Sequence, residues 1–200
     1  MKNKYIVECI GAFTLSFVVL LAVSGVATPV AIPVIAGLTL GLFVYTIGAI
    51  SGSHINPAVT IGLLSVKKIT TNDAVMYIVA QILGAAFAIV VAKFLGVAMP
   101  SATSSAFTLG DFIAEAFGAF VFAWGIAAVV YGKVRDDMSG MVIGGSLLLG
   151  LLISSLAGGA GILNPAVAFA LNAVSLTSIL APIVGAVAGF QAYRMVLGMK

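Results

Sequence analysis

Charge is what this sequence has least of. Of 200 residues, 9 are Lys or Arg and 6 are Asp or Glu, 8% charged by type, against roughly 25% in an ordinary soluble domain. So few charges cannot cover a water-facing surface, which excludes a soluble globular protein. Residues 9–66 hold none of these charges, and residues 138–193 hold none. Each run is far longer than the ~20 residues of one helical crossing, so each must supply several membrane elements. The single cysteine, Cys9, excludes an intramolecular disulfide and leaves the redox compartment unread. The single histidine, His54, cannot build a metal site alone, and no metal or cofactor is expected. No nucleophile–base pair or phosphate loop stands out, which argues against an enzyme. The net charge of +3 comes from basic residues scattered singly and in pairs, so no nucleic-acid partner is expected.

What is present is apolar: 62% of the chain. Breakers divide it into six spans near residues 6–27, 31–50, 73–95, 110–131, 139–157 and 175–197. Lys2 and Lys4 ahead of an apolar run suit a signal peptide, but Glu8 interrupts the apolar region and the run continues past Val26. It reads as a retained first helix. Two further apolar pieces, 57–66 and 165–173, each follow an Asn-Pro and are too short to cross. They read as half-helices that enter the bilayer and turn back. With both termini inside, Lys2, Lys4, Lys67, Lys68, Lys133, Arg135, Arg194 and Lys200 all fall on the inner side and only Lys93 on the outer. The positive-inside rule therefore places both termini in the cytoplasm of a multi-pass cell-membrane protein.

The chain also repeats itself. YIVECIGAF (5–13) resembles DFIAEAFGAF (111–120), aligning Glu8 with Glu115; INPAV (55–59) matches LNPAV (163–167); IVAQILGA (78–85) matches ILAPIVGA (179–186). Three matches in one order imply two halves, approximately 1–100 and 101–200, within one domain of residues 1–200. Three spans per half force the second half to insert upside down.

Asn is a favoured N-cap, and Pro is favoured next because its missing N–H costs nothing there. Asn56-Pro57-Ala58 and Asn164-Pro165-Ala166 thus start helices well, and here they do so inside apolar sequence. Non-helical backbone at membrane depth survives only where protein buries it or water reaches it. The Gly-rich segments 51–55 and 158–162 would leave carbonyls to line a wet path. Inverted symmetry brings the two half-helix starts together near the midplane, each carrying roughly +0.5 charge. Such ends repel cations, while the Asn amides offer donors to a passing oxygen.

These residues resemble the major intrinsic protein family, the aquaporins and glycerol facilitators. SGSHINPAVT (51–60) is similar to the family's first signature almost letter for letter, and the surroundings of Glu8, Glu115 and Gln81 fit as well. The resemblance implies an all-α fold of six transmembrane helices plus two re-entrant half-helices, in a right-handed bundle. It also implies channel activity and a homotetramer with one pore per subunit. It further implies an outer filter of four positions, which by the family's spacing fall at Ala36, Leu152, Gly161 and Val167. The family's usual Arg after the second motif is replaced here by Val167, and the Asp that glycerol facilitators carry next is Ala168. None of the four is aromatic, charged or a side-chain donor. Pore diameter and lining donors set selectivity in such pores, so the expected partners are water and small neutral solutes such as glycerol, passing a wide, apolar filter in the lipid bilayer. A channel for another small neutral solute or a gas is the neighbouring reading.

Three other features have competing readings. Glu8 and Glu115 are intramembrane carboxylates; either they relay protons or, as their matched positions favour, they form a scaffold that accepts hydrogen bonds from loop backbone. The resemblance puts His54 at the inner pore mouth, as lining or gate, and a packed, satisfied imidazole is the alternative. Secondary transporters also use inverted repeats and broken helices, but no ion-binding carboxylate neighbours the half-helices in sequence.

Overall fold

The computed structural model describes residues 3–24, 30–101 and 107–199. Residues 25–27 of the first expected span, and Lys2 and Lys200 of the charge count, lie outside them. The described residues form eight α-helices and no strand: α1 (Asn3–Val23), α2 (Ile32–Ser51), α3 (Pro57–Ser65), α4 (Thr71–Phe94), α5 (Leu109–Val130), α6 (Ser139–Leu156), α7 (Pro165–Ala170) and α8 (Leu176–Val196). All except α3 and α7 are long and apolar enough to cross a membrane. At 1.5 Å per residue they span about 27–36 Å.

Helix starts follow local chemistry. Thr70 Oγ1 accepts from Asp73 N (3.2 Å), Thr108 Oγ1 from Asp111 N (3.1 Å), and Ser175 and Ser178 form a reciprocal capping box, so orphan amides at the starts of α4, α5 and α8 are satisfied. The α7 half-helix is shorter than the expected 165–173, because the chain turns out at Asn172 (φ 55°).

Crossing helices meet through glycine. A Cβ on Gly84 of α4 would lie 2.2 Å from the Cys9 carbonyl of α1; one on Gly185 of α8 would lie 2.0 Å from the Ala116 carbonyl of α5. The α2–α6 crossing is built the same way, with Gly37 against the Gly144 carbonyl and Gly140 against the Gly41 carbonyl. Apolar burial drives little association within lipid, so close backbone approach supplies the packing. The half-helices insert into the opposite half's frame: α3 packs on α8, and α7 on α4. Large apolar side chains point outward, Leu38 at 69% and Phe87 at 62% exposure, as a lipid-facing surface requires.

Candidate pore

The two re-entrant segments are held by carboxylates from the spans behind them. Glu8 Oε1 accepts from Ser51 Oγ (2.7 Å) and His54 N (2.9 Å), and its Oε2 accepts from Ile55 N (2.7 Å) and Gln81 Nε2 (2.9 Å). Glu115 Oε1 accepts from Ser154 Oγ (2.8 Å) and from Gly161 N, and its Oε2 accepts from Leu163 N (3.1 Å). Both carboxyl groups are buried and committed to loop donors, the scaffold arrangement. Gln81, which also donates to Thr60 Oγ1 (3.0 Å), has Pro182 at the matching place in the second half, and proline offers no side-chain donor.

Each cradle forces one bulky residue into the left-handed region, Ile55 at φ 38° and Leu163 at φ 53°. Such conformations cost of order 1–3 kcal/mol and persist only where the surroundings over-determine them. Here both ends of the residue are tied. The Ile55 and Leu163 amides go to the carboxylates, while their carbonyls accept from the asparagine of the other half: Asn164 Nδ2 to Ile55 O (3.1 Å) and Asn56 Nδ2 to Leu163 O (3.0 Å). Each Asn Oδ1 caps its own half-helix, accepting from Ala58 N (2.8 Å) or Ala166 N (3.0 Å). Pro57 and Pro165 occupy the first helical position, and Ala58 and Ala166 are buried behind them. One hydrogen of each Asn amide is thereby used, and the second remains for whatever occupies the space in front.

That space is real. A chamber of about 180 Å³ is walled by both asparagines together with Ala36, Gly161 and Val167. On the side of the chain termini lies a second chamber of about 610 Å³, reaching Ser51, Ser53, Lys68 and Asp136. Ser53 Oγ is buried there without a hydrogen-bond partner among the described residues. His54 belongs to both walls, and its Nδ1 lies 3.1 Å from Thr60 Oγ1.

Of the four expected filter positions, Leu152 is misplaced. It is 36% exposed and absent from the chamber wall, where α6 instead presents Leu147, Leu151 and Ser155. These recur every four residues, one face of a helix, and Leu152 stands about 100° off that face, so gap-free counting from the second motif does not land on the chamber wall. Sequence reasoning also missed Leu40 and Phe122, which line both chambers. A signal existed: Leu40 follows Ala36 by four residues and Phe122 follows Glu115 by seven, the same faces of α2 and α5.

Six crossing helices around two opposed half-helix starts, fronted by a chamber, define a membrane channel. The model of the major intrinsic protein family matches residues 1–193, and the chain belongs to that family, whose members are channels and not enzymes. Among curated relatives, it is 31% identical to Nodulin-26 of Glycine max over 82% of this chain and 65% of that protein, so the chain spans about two thirds of that relative's length. It is 35% identical to the Glycerol uptake facilitator protein-like 6 of Lactiplantibacillus plantarum, over 82% of this chain and 80% of that one. The X-ray structure of the aquaglyceroporin from Plasmodium falciparum shares the fold, with a TM-score of 0.72 at 22% identity, covering 97% of this chain and 96% of that one.

Proposed function

We propose that the chain is a passive channel for water and small uncharged solutes, glycerol among them, entering through a wide, apolar outer filter. The observation that carries this reading is the chamber wall: Ala36, Gly161 and Val167 surround the approach to the asparagines, joined on α6 by Leu151. None of the four bears a charge or a side-chain donor, and the hydroxyl of Ser155 on α6 is the polar group beside them. Aliphatic walls set against two amide donors suit a molecule with one apolar and one hydroxylated side. The half-helix starts, each worth roughly +0.5 charge, oppose cations at the same level. A coupled transporter is disfavoured because the Glu8 and Glu115 oxygens are taken up by loop donors and neither residue walls the two chambers.

In this reading residues 1–200 form one domain of two inverted repeats, both termini are cytoplasmic in the cell membrane, and four copies assemble. The larger chamber then opens to the cytoplasm beside Lys68 and Asp136. Stopped-flow scattering of proteoliposomes shrunk in sucrose, glycerol or urea tests it. Re-swelling in glycerol and urea is expected; water efflux without re-swelling in either would overturn the wide filter.

A further inference from the structure

The chamber that holds the outer filter positions also holds both asparagines, so no partition separates the filter from the midplane. Further in, this chamber meets the second one. The two chambers have three wall residues in common, Leu40 of α2, His54 of the first re-entrant segment and Phe122 of α5. All three are buried, Leu40 and Phe122 at 2% exposure and His54 at 8%. From this we infer that the ring of Leu40, His54 and Phe122, on the terminal side of the asparagine pair, is the solute-discriminating constriction of this channel. The inference rests on the channel reading above and deepens it.

The ring has one polar side chain, His54, whose Nδ1 is tied to Thr60. Gln81 must turn its NH2 toward the Glu8 carboxylate (2.9 Å), and the same NH2 reaches Thr60 Oγ1 (3.0 Å). Thr60 donates its own hydrogen to Asn56 O (3.0 Å). A hydroxyl has one donor and two acceptor sites, so with the Thr60 hydrogen placed on Asn56 O the remaining acceptor site takes the His54 Nδ1 hydrogen at 3.1 Å, and in that tautomer Nε2 is the acceptor. The imidazole is fixed further by edge-to-face contact with Tyr77 (5.0 Å), whose hydroxyl is anchored on Ser51 O (2.7 Å). A slender neutral solute passes if it can offer a hydrogen to Nε2 while its carbons slide between Leu40 and Phe122. Branched or longer polyols are stopped there, after having cleared the outer filter.

The test is the permeability ratio of erythritol to glycerol in proteoliposomes of full-length wild type, Leu40→Ala, Phe122→Ala, Phe122→Leu and Val167→Ala. Widening the ring is expected to raise the ratio roughly tenfold, the scale on which an apolar pocket discriminates one extra carbon, whereas Val167→Ala, at the outer filter, is expected to shift it less. Should Phe122→Ala not yield a folded protein, Phe122→Leu and Leu40→Ala read the same quantity. His54→Leu, which keeps bulk but removes the acceptor, is expected to lower glycerol flux without admitting erythritol; unchanged glycerol flux would remove the acceptor role. A ratio that responds to Val167→Ala and not to the ring variants overturns the inference. A wild type that passes water but no glycerol instead refutes the wide filter; the ring stands in that case only if its variants, and not Val167→Ala, let glycerol through.

Discussion

Replacing Glu8 by leucine should uncouple the first re-entrant segment from the bundle. Leucine is close in bulk to the carboxylate side chain but accepts nothing. Four donors converge on Glu8, from Ser51, His54, Ile55 and Gln81. The Ser51 hydroxyl can rotate to another acceptor and the Gln81 amide keeps Thr60 Oγ1, while the two backbone amides have nowhere to turn. A buried donor left without a partner costs about 1–3 kcal/mol, so two sum to roughly 2–6 kcal/mol, a large part of the ~5–15 kcal/mol that holds a typical protein folded. At about 2–4 °C per kcal/mol for a chain of this length, Tm in detergent should fall by at least about 4 °C. Glu8→Gln keeps one carbonyl acceptor but turns an NH2 toward donors, and should fall between. The assay is thermal unfolding of purified protein, with water permeability as a parallel readout. A Glu8→Leu protein that melts with the wild type and conducts water at the wild-type rate would refute the scaffold argument.

The glycine crossings give a matched pair: Gly84→Ala and Gly185→Ala drive a methyl into a facing backbone carbonyl and should each destabilise by roughly 1–3 kcal/mol, whereas Gly145→Ala meets nothing within 4 Å and should melt with the wild type. Val167→Arg adds a cation and donors to the chamber wall, so glycerol and urea fluxes should fall more than water flux; equal loss of all three in stopped-flow would place Val167 outside the selective path.

Much of the frame was legible because membrane spans advertise themselves by length and apolarity. The first span still begins earlier than expected, at Asn3 rather than residue 6. Hydropathy discounts polar first turns, yet here Lys4 pairs with Asp73 at 2.8 Å and Tyr5 donates to the same carboxylate. The Asn-Pro-Ala starts could be read because capping is local: it needs only the residues beside it. Glu8 and Glu115 stood out because a carboxylate inside an apolar run demands an explanation. The positions set by helix phase across a loop were harder. Leu152 fell off the chamber wall because the phase of α6 is set across the 157–163 turn, and nothing local in the sequence records that phase. Leu40 and Phe122 carry no polar signal, and their importance comes only from which chambers they divide.

The crossed bonds between the halves, Asn56 to Leu163 and Asn164 to Ile55, bear on how such a chain can be synthesised safely. A ribosome delivers residues 1–100 to the bilayer well before α7 and α8 exist, so the first asparagine waits without its acceptor and α3 without the helix it lies on. Until the last third arrives there is no walled conduit, only a bundle with an unfinished seam. In the proposed channel, the conduit is therefore closed off on all sides only when the second half has docked on the first.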